Sequence, residues 1–290
     1  MSKWVEINEV SKKIDEFHLG PINLSVEPGT ITCLVGSNGA GKSTLLKMMA
    51  GLVSYDDGSL TMFNEDYLMN KDDWKQHVSY MPQSLLGCDP FNGHQLKELI
   101  STWYPDWDEE YFNELVDLFE INLNKKYGRL SPGGKQRLNI ALTLPRNTKL
   151  LLLDEPTSHI DIPAKAKFMD EIVRWMDKGE RSIIMSSHQA DDIKKLADYL
   201  VLFHEGMQLG TFEKEELTQQ FQKYWMQESL PHEVIPGEID RKGDRVIISQ
   251  DNVETEEFFK KNQLSYINRE PLSVEEIITV LLDKKREKTT

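Results

Sequence analysis

The sequence predicts an α/β fold built on a mostly parallel β-sheet, followed by a small α+β appendage. Two runs carry this prediction, because residues 31–35 and 150–153 are apolar at almost every position. Such runs are typical of strands that are buried on both faces of a parallel sheet. Predicted strands also alternate with predicted helices over most of the chain, which indicates right-handed crossover connections.

Periodicity and turn residues place the individual elements of this α/β region. Strands are expected at residues 4–10, 22–26, 31–35, 59–63, 77–81, 150–153, 182–186, 199–203 and 207–210. Helices are expected at residues 45–52, from 132 to about 144, at 163–176 and at 191–197.

The stretch between residues 84 and 129 is rich in glutamate and aromatic residues and indicates helices. One interpretation of its aromatic cluster is the core of a small helical lobe. The other is that part of the cluster is a docking surface for a partner helix. The members of the cluster are Trp103, Tyr104, Trp107, Tyr111 and Phe112.

The pattern changes again near residue 214. The predicted domains are therefore residues 1–215, with a helical subdomain at about 84–145, and an extension at 216–290. In the extension, helices are expected at 217–225, 253–262 and 274–282, and strands at 245–249 and 264–267.

The composition limits the possible partners. The chain has 48 acidic and 34 basic residues, a formal net charge of -14, and this balance argues against a nucleic-acid partner. Cys33 and Cys88 are the only cysteines, so the sequence offers no disulfide framework and no metal-binding spacing. We find no N-terminal signal segment and no run of about 18 apolar residues, as expected for a cytosolic protein.

A glycine-rich loop follows the apolar run at 31–35 and precedes a predicted helix. In this context the loop N–H groups and the helix N-terminus form a cradle for phosphate. Lys42 would reach the β- and γ-phosphates, Ser43 would offer its hydroxyl to Mg²⁺, and Thr44 would add a donor to phosphate. The alternative is an ordinary glycine turn. The candidate nucleotide-binding residues are Gly36, Ser37, Asn38, Gly39, Ala40, Gly41, Lys42, Ser43 and Thr44.

Two carboxylates, Asp154 and Glu155, follow the apolar run at 150–153. They should emerge at the carboxyl edge of the sheet, where ligands bind in open α/β folds. Asp154 would hold Mg²⁺ through water and complement Ser43. Glu155 would polarise a water beside a γ-phosphate as a general base. The alternative is a solvated strand end.

Two further side chains are suited to phosphoryl transfer, which needs a positioned water, a metal ion and dispersed positive charge. Gln83 follows a predicted strand, and its amide is suited to sense the metal ion and the water. His188 follows another strand and can donate to the γ-phosphate. Either residue alone is more often an ordinary surface or core residue. Their order relative to the glycine-rich loop and the carboxylates favours the functional interpretation.

This order of motifs resembles the ATP-binding subunits of ATP-binding-cassette (ABC) transporters, over roughly residues 1–215. The segment that resembles the LSGGQ signature is the most specific to this family. The matching positions are Walker A at residues 36–44, the Q-loop glutamine at Gln83, the signature at 130–137, the Walker B aspartate at Asp154, the catalytic glutamate at Glu155, the D-loop at 158–161 and the switch histidine at His188.

The resemblance implies a P-loop NTPase core with an antiparallel β subdomain and a helical subdomain that carries the signature. It also implies a head-to-tail dimer that holds ATP and Mg²⁺ between the Walker A loop of one chain and the signature of the other. Ser131 and the amides of Gly133 and Gly134 would form a second anion cradle at a helix N-terminus. Gln136 completes the candidate nucleotide-binding residues. ATP would stabilise the closed dimer because it contacts both chains, and hydrolysis would release it.

The partners implied are the subunits of a separate membrane permease and a second ATPase chain, either identical or related. A permease helix would dock near the loop of Gln83 and the lobe at 84–129. The chain would then lie in the bacterial cytoplasm, bound at the cytoplasmic face of the cell membrane.

Three positions depart from the family pattern. Ile14 stands where an aromatic residue usually stacks on adenine, so that stacking is lost or comes from Phe17 or Trp4. Pro132 stands where the signature usually has glycine, and proline is tolerated at the start of a helix. His159 replaces a small residue of the D-loop, with an expected effect on signalling between the two sites.

Residues 271–278 are similar to the end segment of ATPases that serve exporter-type permeases, which favours export over import. Two other functions compete with the transport ATPase. One is a soluble family member that acts on a macromolecular partner, such as a ribosome, although one cassette and a net charge of -14 count against it. The other is a regulatory module that holds ATP without turnover, against which Glu155 and His188 argue.

Overall fold

In the computed structural model, residues 3–63, 65–66 and 72–289 are described. The chain divides into two compact units. The first is Met1–Ala197 with Phe203–Gly210, and the second is Asp198–Leu202 with Thr211–Thr290.

Strands and helices alternate along the chain as the sequence predicts. The strands up to residue 213 are β1 (Val5–Ile14), β2 (Phe17–Val26), β3 (Ile31–Gly36), β4 (Asp57–Met62), β5 (Glu65–Asp66), β6 (Val78–Met81), β7 (Leu150–Asp154), β8 (Ser182–Ser186), β9 (Tyr199–His204) and β10 (Met207–Glu213). The helices are α1 (Lys42–Met49), α2 (Gly93–Ser101), α3 (Glu109–Leu118), α4 (Pro132–Thr143), α5 (Ile162–Met176) and α6 (Ala190–Leu196), with 3₁₀ turns at Asp72–His77, Tyr127–Arg129 and Leu144–Arg146.

The central sheet has six strands in the order β10, β9, β3, β8, β7, β6. The pairs of β3 with β8, β8 with β7, and β7 with β6 are parallel. Every residue of β3, β7 and β8 is buried, which explains why these runs show no polar alternation. Because parallel strands end at one edge of the sheet, the segments that follow β3, β7 and β8 lie side by side.

A second sheet is antiparallel, in the order β2, β1, β4, β5. Its first hairpin is longer than predicted, because β1 extends to Ile14 and β2 begins at Phe17, which pair with each other. The sequence does not show this extension, because its polar residues interrupt the apolar alternation that indicates a strand. Lys12, for example, forms a 2.6 Å ion pair with Asp56.

The helical region between β6 and β7 shows that the aromatic cluster is not a single core. Tyr111 and Phe112 of α3 are buried, as the core interpretation predicts. Trp103, by contrast, is 78% exposed and lines an open groove of about 480 Å³ with Phe91 and Leu99. The docking interpretation stays a prediction for this groove.

The remaining elements belong to the second unit. They are α7 (Lys214–Gln220), β11 (Gln222–Met226), β12 (Glu238–Lys242), β13 (Val246–Ser249), α8 (Asn252–Lys261), β14 (Tyr266–Pro271) and α9 (Val274–Thr289). The strands form an antiparallel sheet in the order β12, β13, β11, β14. This arrangement is the expected α+β type.

The predicted helix at 217–225 is wrong in its second half. The helix α7 ends at Gln220, and residues 222–226 form the strand β11 instead. Tyr224 and Met226 point to one face of this strand and enter the core of the unit together with Ile247 and Phe259. Cross-strand packing of these alternate residues overrides the local helical pattern.

Within residues 3–63, 65–66 and 72–289, no helix combines the length and the apolar composition that a bilayer span requires.

Candidate functional site

The glycine-rich loop joins β3 to α1 and depends on glycine at two points. Gly41 precedes α1 with a φ of 100°, in the left-handed region that glycine tolerates best. A β-carbon at Gly41 would lie 2.5 Å from Leu19 Cδ1, and one at Gly36 would lie 2.2 Å from the carbonyl oxygen of Phe203. The backbone of Phe203 leaves no room for a side chain at Gly36, and the left-handed backbone at Gly41 favours glycine there.

Lys42, the first residue of α1, is only 5% exposed. Its ammonium nitrogen Nζ donates hydrogen bonds to the carbonyl oxygens of Gly36, at 2.7 Å, and Ser37, at 3.0 Å. Burial lowers the pKa of Lys42, while the carboxylates of Glu155 and Asp154 act in the opposite direction. The loop therefore wraps around a buried cation that faces two acidic groups at the sheet edge.

Asp154, the last residue of β7, is buried and contacts two hydroxyl groups. Ser43 Oγ donates to Asp154 Oδ1 at 2.9 Å, and Ser186 Oγ donates to the same oxygen at 2.7 Å. The backbone N–H of Glu155 in turn donates to Ser186 Oγ at 2.9 Å. The structure thus brings together the hydroxyl and the carboxylate that the sequence suggested for one metal ion.

Sequence reasoning missed two residues of this site. The first is Ser186, for which a polar residue at the carboxyl end of a buried strand was an available signal. The second is Tyr80 in β6, where burial and the negative charge of Asp154 raise the pKa of the phenol. A tyrosine inside an apolar strand looks like a core residue, so the sequence contained no signal for it.

Glu155 and His188, predicted from separate segments, meet in the structure. His188 Nδ1 lies 3.2 Å from Glu155 Oε1. The histidine side chain is 52% exposed, whereas that of Glu155 is mostly buried. Glu155 has a φ of 49°, a left-handed conformation that is uncommon for a residue with a side chain. The surrounding contacts therefore hold this glutamate in a defined position beside the histidine.

An open cavity of about 470 Å³ lies over the glycine-rich loop. Its lining includes Gln83, just beyond β6, together with Glu155, Ile14 and Phe17. Residues 38–44 complete the lining. The loop, Gln83 and the glutamate are therefore brought to one cavity, as the sequence predicts.

The two aromatic residues considered as stacking partners for adenine lie in different places. Phe17 lines the cavity. Trp4 is buried, and its ring centroid lies 5.3 Å from that of Phe63. Trp4 is thus a packing residue of the antiparallel sheet, and it is not among the described residues that line the cavity.

The signature segment starts α4 in the predicted way. Ser131 is the N-cap, and its Oγ accepts a hydrogen bond from the N–H of Gly134 at 3.1 Å. Pro132 occupies the first turn, where its lack of an N–H costs little. Ser131, Gly133 and Gly134 are not among the described residues that line the cavity over the glycine-rich loop. Within one chain, the two predicted anion cradles therefore do not meet.

Gln136 lies inside the fold and is 2% exposed. Its Nε2 donates to the carbonyl oxygens of Glu155, at 3.1 Å, and Pro156, at 2.8 Å. Its amide nitrogen thus holds the backbone of the candidate general base, and a direct contact of Gln136 with a nucleotide stays a prediction.

The D-loop segment packs against the start of α4. Ser158 Oγ donates to the carbonyl oxygen of Glu155 at 2.9 Å. His159 has a φ of 63°, and its carbonyl oxygen leaves no room for a side chain at Gly133. Asp161, the N-cap of α5, is bound by Arg137 of α4. The signature helix and the D-loop are therefore held together within one chain.

Comparisons with known proteins bear on this site. A family model described as ABC transporter matches residues 19–158. The ABC transporter ATP-binding protein YtrB of Bacillus subtilis is 28% identical over 97% of this chain and 99% of its own length. The petrobactin import ATP-binding protein FpuC of Bacillus anthracis is 31% identical over 70% of this chain and 78% of its own length.

A solved structure shares the fold. It is a dimeric ATP-binding cassette in a post-hydrolysis state, bound to ADP and Pi, with a TM-score of 0.64 and 19% identity. The match covers 72% of this chain and 98% of that chain. The fold of this chain over the matched region is thus that of a known cassette. The match to FpuC, at 31% identity over 78% of that protein, together with the family model, shows that the chain belongs to the ATP-binding proteins of ABC transporters and is an ATPase.

Proposed function

We propose that this chain binds ATP with Mg²⁺ at residues 36–44, hydrolyses the β–γ phosphate bond, and drives a separate membrane permease. The observation that carries the proposal is the 3.2 Å contact between Glu155 Oε1 and His188 Nδ1, beside the loop that surrounds Lys42. A carboxylate and an imidazole meet there at the cavity edge, next to a buried cation and a helix N-terminus, which is the arrangement that phosphoryl transfer needs.

The phosphates of ATP would lie over the loop. The N–H groups at the start of α1 point toward that position, and the helix dipole favours negative charge there. Lys42 would supply the positive charge nearest to the β- and γ-phosphates, and Thr44 a further hydroxyl donor. The buried position of Lys42 strengthens its attraction for phosphate, because little water screens it.

Ser43 and Asp154 fit Mg²⁺ because they supply the oxygen donors that this ion prefers, already 2.9 Å apart. Among the described residues, no group of three or more His, Cys, Asp and Glu could hold a metal ion. This suits an ion that takes its other ligands from water and phosphate. Ser43 would bind it directly, Asp154 through water, and Gln83 from the cavity edge. When bound, the ion would offset the charge of the phosphates.

Glu155 would accept a proton from the attacking water as a general base. A bond forms between the water oxygen and the γ-phosphorus while the bond to the bridging oxygen breaks, so the products are ADP and inorganic phosphate. His188 would donate a hydrogen bond to the γ-phosphate, and Gln83 would orient the water. The contacts of Ser186 and Gln136 with the backbone of Glu155 support this role, because they fix the base.

Phe17 would provide the adenine platform in place of the aromatic residue that Ile14 replaces. Its ring lines the cavity at the tip of the hairpin, where a base attached to phosphates over the loop would extend. Ile14 pairs with it across the hairpin and adds an apolar wall.

We further infer a head-to-tail dimer. Within one chain, Ser131, Gly133 and Gly134 lie outside the lining of the cavity, although Ser131 caps a helix N-terminus suited to anions. A second chain, identical or related, would bring its own signature to this cavity and complete the site. ATP would then join the two chains because it contacts both.

The permease is expected to dock at the exposed groove of Phe91, Leu99 and Trp103 and at the loop of Gln83. The apolar lining of this groove suits a helix of the permease. The chain would then lie at the cytoplasmic face of the bacterial cell membrane.

The domain boundary proposed from the sequence, with the ATPase domain at 1–215 and an extension at 216–290, carries over as a proposal. Export also stays a proposal. It depends on the similarity of residues 271–278, and neither relative named above supports it, since FpuC is named for import and the name of YtrB states no direction. Both names denote ATP-binding proteins rather than ribosomal or regulatory factors, so no observation favours the non-transport alternatives.

Glu155→Gln tests the catalytic proposal. We expect phosphate release to fall by about 100-fold or more, because a carboxamide cannot accept the proton, while binding of a fluorescent ATP analogue persists. The matched control is Glu171→Gln on α5, which removes a carboxylate bonded to Tyr111 outside the cavity and should leave turnover unchanged. Equal turnover of wild type and Glu155→Gln would remove Glu155 from the role of base.

A further inference from the structure

A buried carboxylate lies behind the candidate catalytic pair. Asp192, in the first turn of α6, has a side chain that is 0% exposed. Lys165 Nζ on α5 lies 2.5 Å from Asp192 Oδ1. Thr157 Oγ1 donates a hydrogen bond to Asp192 Oδ2, and Ser187 Oγ donates to the same oxygen at 3.3 Å. A carboxylate so far from water requires such partners, and here they come from three different segments.

The residues on both sides of His188 belong to this network. Ser187 is bonded to Asp192 and accepts the N–H of Gln189 at 3.1 Å. The amide of Gln189 is fixed at both ends. Its Oε1 accepts from Lys165 Nζ at 2.6 Å, and its Nε2 donates to a hydroxyl, Thr157 Oγ1, at 3.3 Å.

The side chain of His188 is half exposed, so packing alone does not define its direction. The backbone on either side of it is anchored instead, and this anchoring sets where its imidazole can reach.

The network also holds the segment that carries the general base. Thr157 stands two residues after Glu155 and donates to Asp192. One buried carboxylate therefore binds both the segment after β7 and the segment after β8. Neither Asp192 nor Lys165 is among the described residues that line the cavity over the glycine-rich loop. Any effect of this pair on ATP hydrolysis must act through the residues that it holds.

We infer that Asp192 and Lys165 are positioning residues that hold His188 against Glu155. This inference rests on the proposed function, because it assumes that these two residues act on the γ-phosphate and the water. The pair does not touch ATP. It fixes the distance between the donor and the base, and a shift of about 1 Å in such a distance is enough to slow catalysis by about 100-fold.

The test compares turnover with nucleotide affinity in the full chain. Asp192→Asn keeps the size of the side chain and an oxygen for the two hydroxyls but removes the ion pair. We expect phosphate release to fall by about 10- to 100-fold, with the Kd for a fluorescent ATP analogue within about twofold of wild type. Lys165→Gln removes the ion pair by changing its cationic partner, which is partly exposed. It should likewise lower phosphate release and leave the Kd for the ATP analogue nearly unchanged. If Asp192→Asn does not fold, Lys165→Gln alone decides.

A double variant separates positioning from a merely structural role. His188→Ala removes the group that is positioned, so adding Asp192→Asn to it should lower turnover by a clearly smaller factor than Asp192→Asn does in the wild-type chain. Glu171→Gln serves as the control, because it also removes a largely buried carboxylate bonded to a hydroxyl in the same unit. It should lower the melting temperature without changing turnover.

Two results would overturn the inference. The first is turnover at the wild-type rate in folded Lys165→Gln. The second is a double variant, His188→Ala with Asp192→Asn, whose loss of turnover equals the product of the losses in the two single variants. If Glu155→Gln also turns over at the wild-type rate, the proposed function fails. If Glu155→Gln is inactive while the pair variants are active, only the inference about Asp192 and Lys165 fails.

Discussion

Phe17 should carry a large part of the affinity for ATP. It begins β2, pairs with Ile14 across the hairpin, and lines the cavity over the glycine-rich loop. Its ring atom Cζ lies 3.3 Å from the position that a β-carbon of Gly41 would occupy, so the ring borders the start of α1. Ile14 has no aromatic face, and Trp4 is buried against Phe63. Among the described residues that line the cavity, Phe17 is therefore the aromatic residue that we propose stacks on the base.

The size of the effect follows from the strength of stacking. A base stacked on an aromatic side chain gains about 1–3 kcal/mol. Since about 1.4 kcal/mol corresponds to a factor of ten, Phe17→Ala should raise the Kd for ATP by about 5- to 150-fold. Phe17→Tyr keeps the ring and should stay close to wild type. Titration calorimetry in a Glu155→Gln background measures this Kd without hydrolysis.

Inorganic tripolyphosphate provides the control, because it occupies the loop but has no base. Its Kd should be unchanged by Phe17→Ala, and Ile14→Ala should weaken ATP less than Phe17→Ala does. The reasoning is refuted if Phe17→Ala weakens ATP and tripolyphosphate equally, or if it leaves the Kd for ATP within about twofold. Circular dichroism of each variant shows whether the β1–β2 hairpin is preserved.

Two further substitutions test the electrostatics and the internal support of the site. Lys42→Met should abolish ATP binding and yet unfold at an equal or higher temperature at pH 7. The pKa of Lys42 is lowered, so the folded chain binds the ammonium proton less tightly than the unfolded chain does. The charge on Lys42 therefore destabilises the fold at pH values below the pKa of the folded state. This destabilisation disappears as pH rises through that pKa, because the amine is then neutral in the folded chain. Melting curves between pH 7 and pH 10 check this, and a lower melting temperature of the variant at every pH would contradict it. Gln136→Ala removes the side-chain donor to the buried carbonyl of Pro156 and one of the donors to the carbonyl of Glu155, which keeps its bond from Ser158. Urea denaturation should therefore show a loss of about 1–3 kcal/mol, together with reduced turnover. Unchanged stability would show that these bonds contribute nothing.

The sequence was sufficient to predict those parts of the site whose positions depend on local chemistry alone. The run at 150–153 had to be a buried strand, so Asp154 and Glu155 had to emerge at the sheet edge. Gly36 and Gly41 likewise restrict the course of the loop, because a β-carbon at Gly36 would collide with the backbone of Phe203 and Gly41 has a left-handed φ. These features need only the period of a strand, the sterics of a turn and the shared edge of parallel strands.

The sequence was insufficient where position depends on which strands are neighbours. Ser186 reaches Asp154 because β8 lies between β3 and β7, and the local pattern does not encode that order. The contacts of Asp192 with Thr157 and Ser187 have the same origin, since an aspartate in the first turn of a helix usually caps or faces solvent. The error in the helix predicted at 217–225 also reflects neighbours, because cross-strand packing of Tyr224 makes its second half part of a strand.

The placement of Gln136 explains how one chain would sense the nucleotide held by its partner. In the proposed dimer, Ser131 and the first turn of α4 touch the γ-phosphate bound by the other chain. One turn later in the same helix, Gln136 donates hydrogen bonds to the carbonyl oxygens of Glu155 and Pro156. A shift of α4 toward the partner's phosphate would therefore move the backbone of this chain's own general base. Because that backbone is also bound by Ser186 and Ser158, it can move only with the sheet edge and the D-loop together. The two ATP sites would then be coupled through buried hydrogen bonds within each chain, which require no direct contact between the two glutamates.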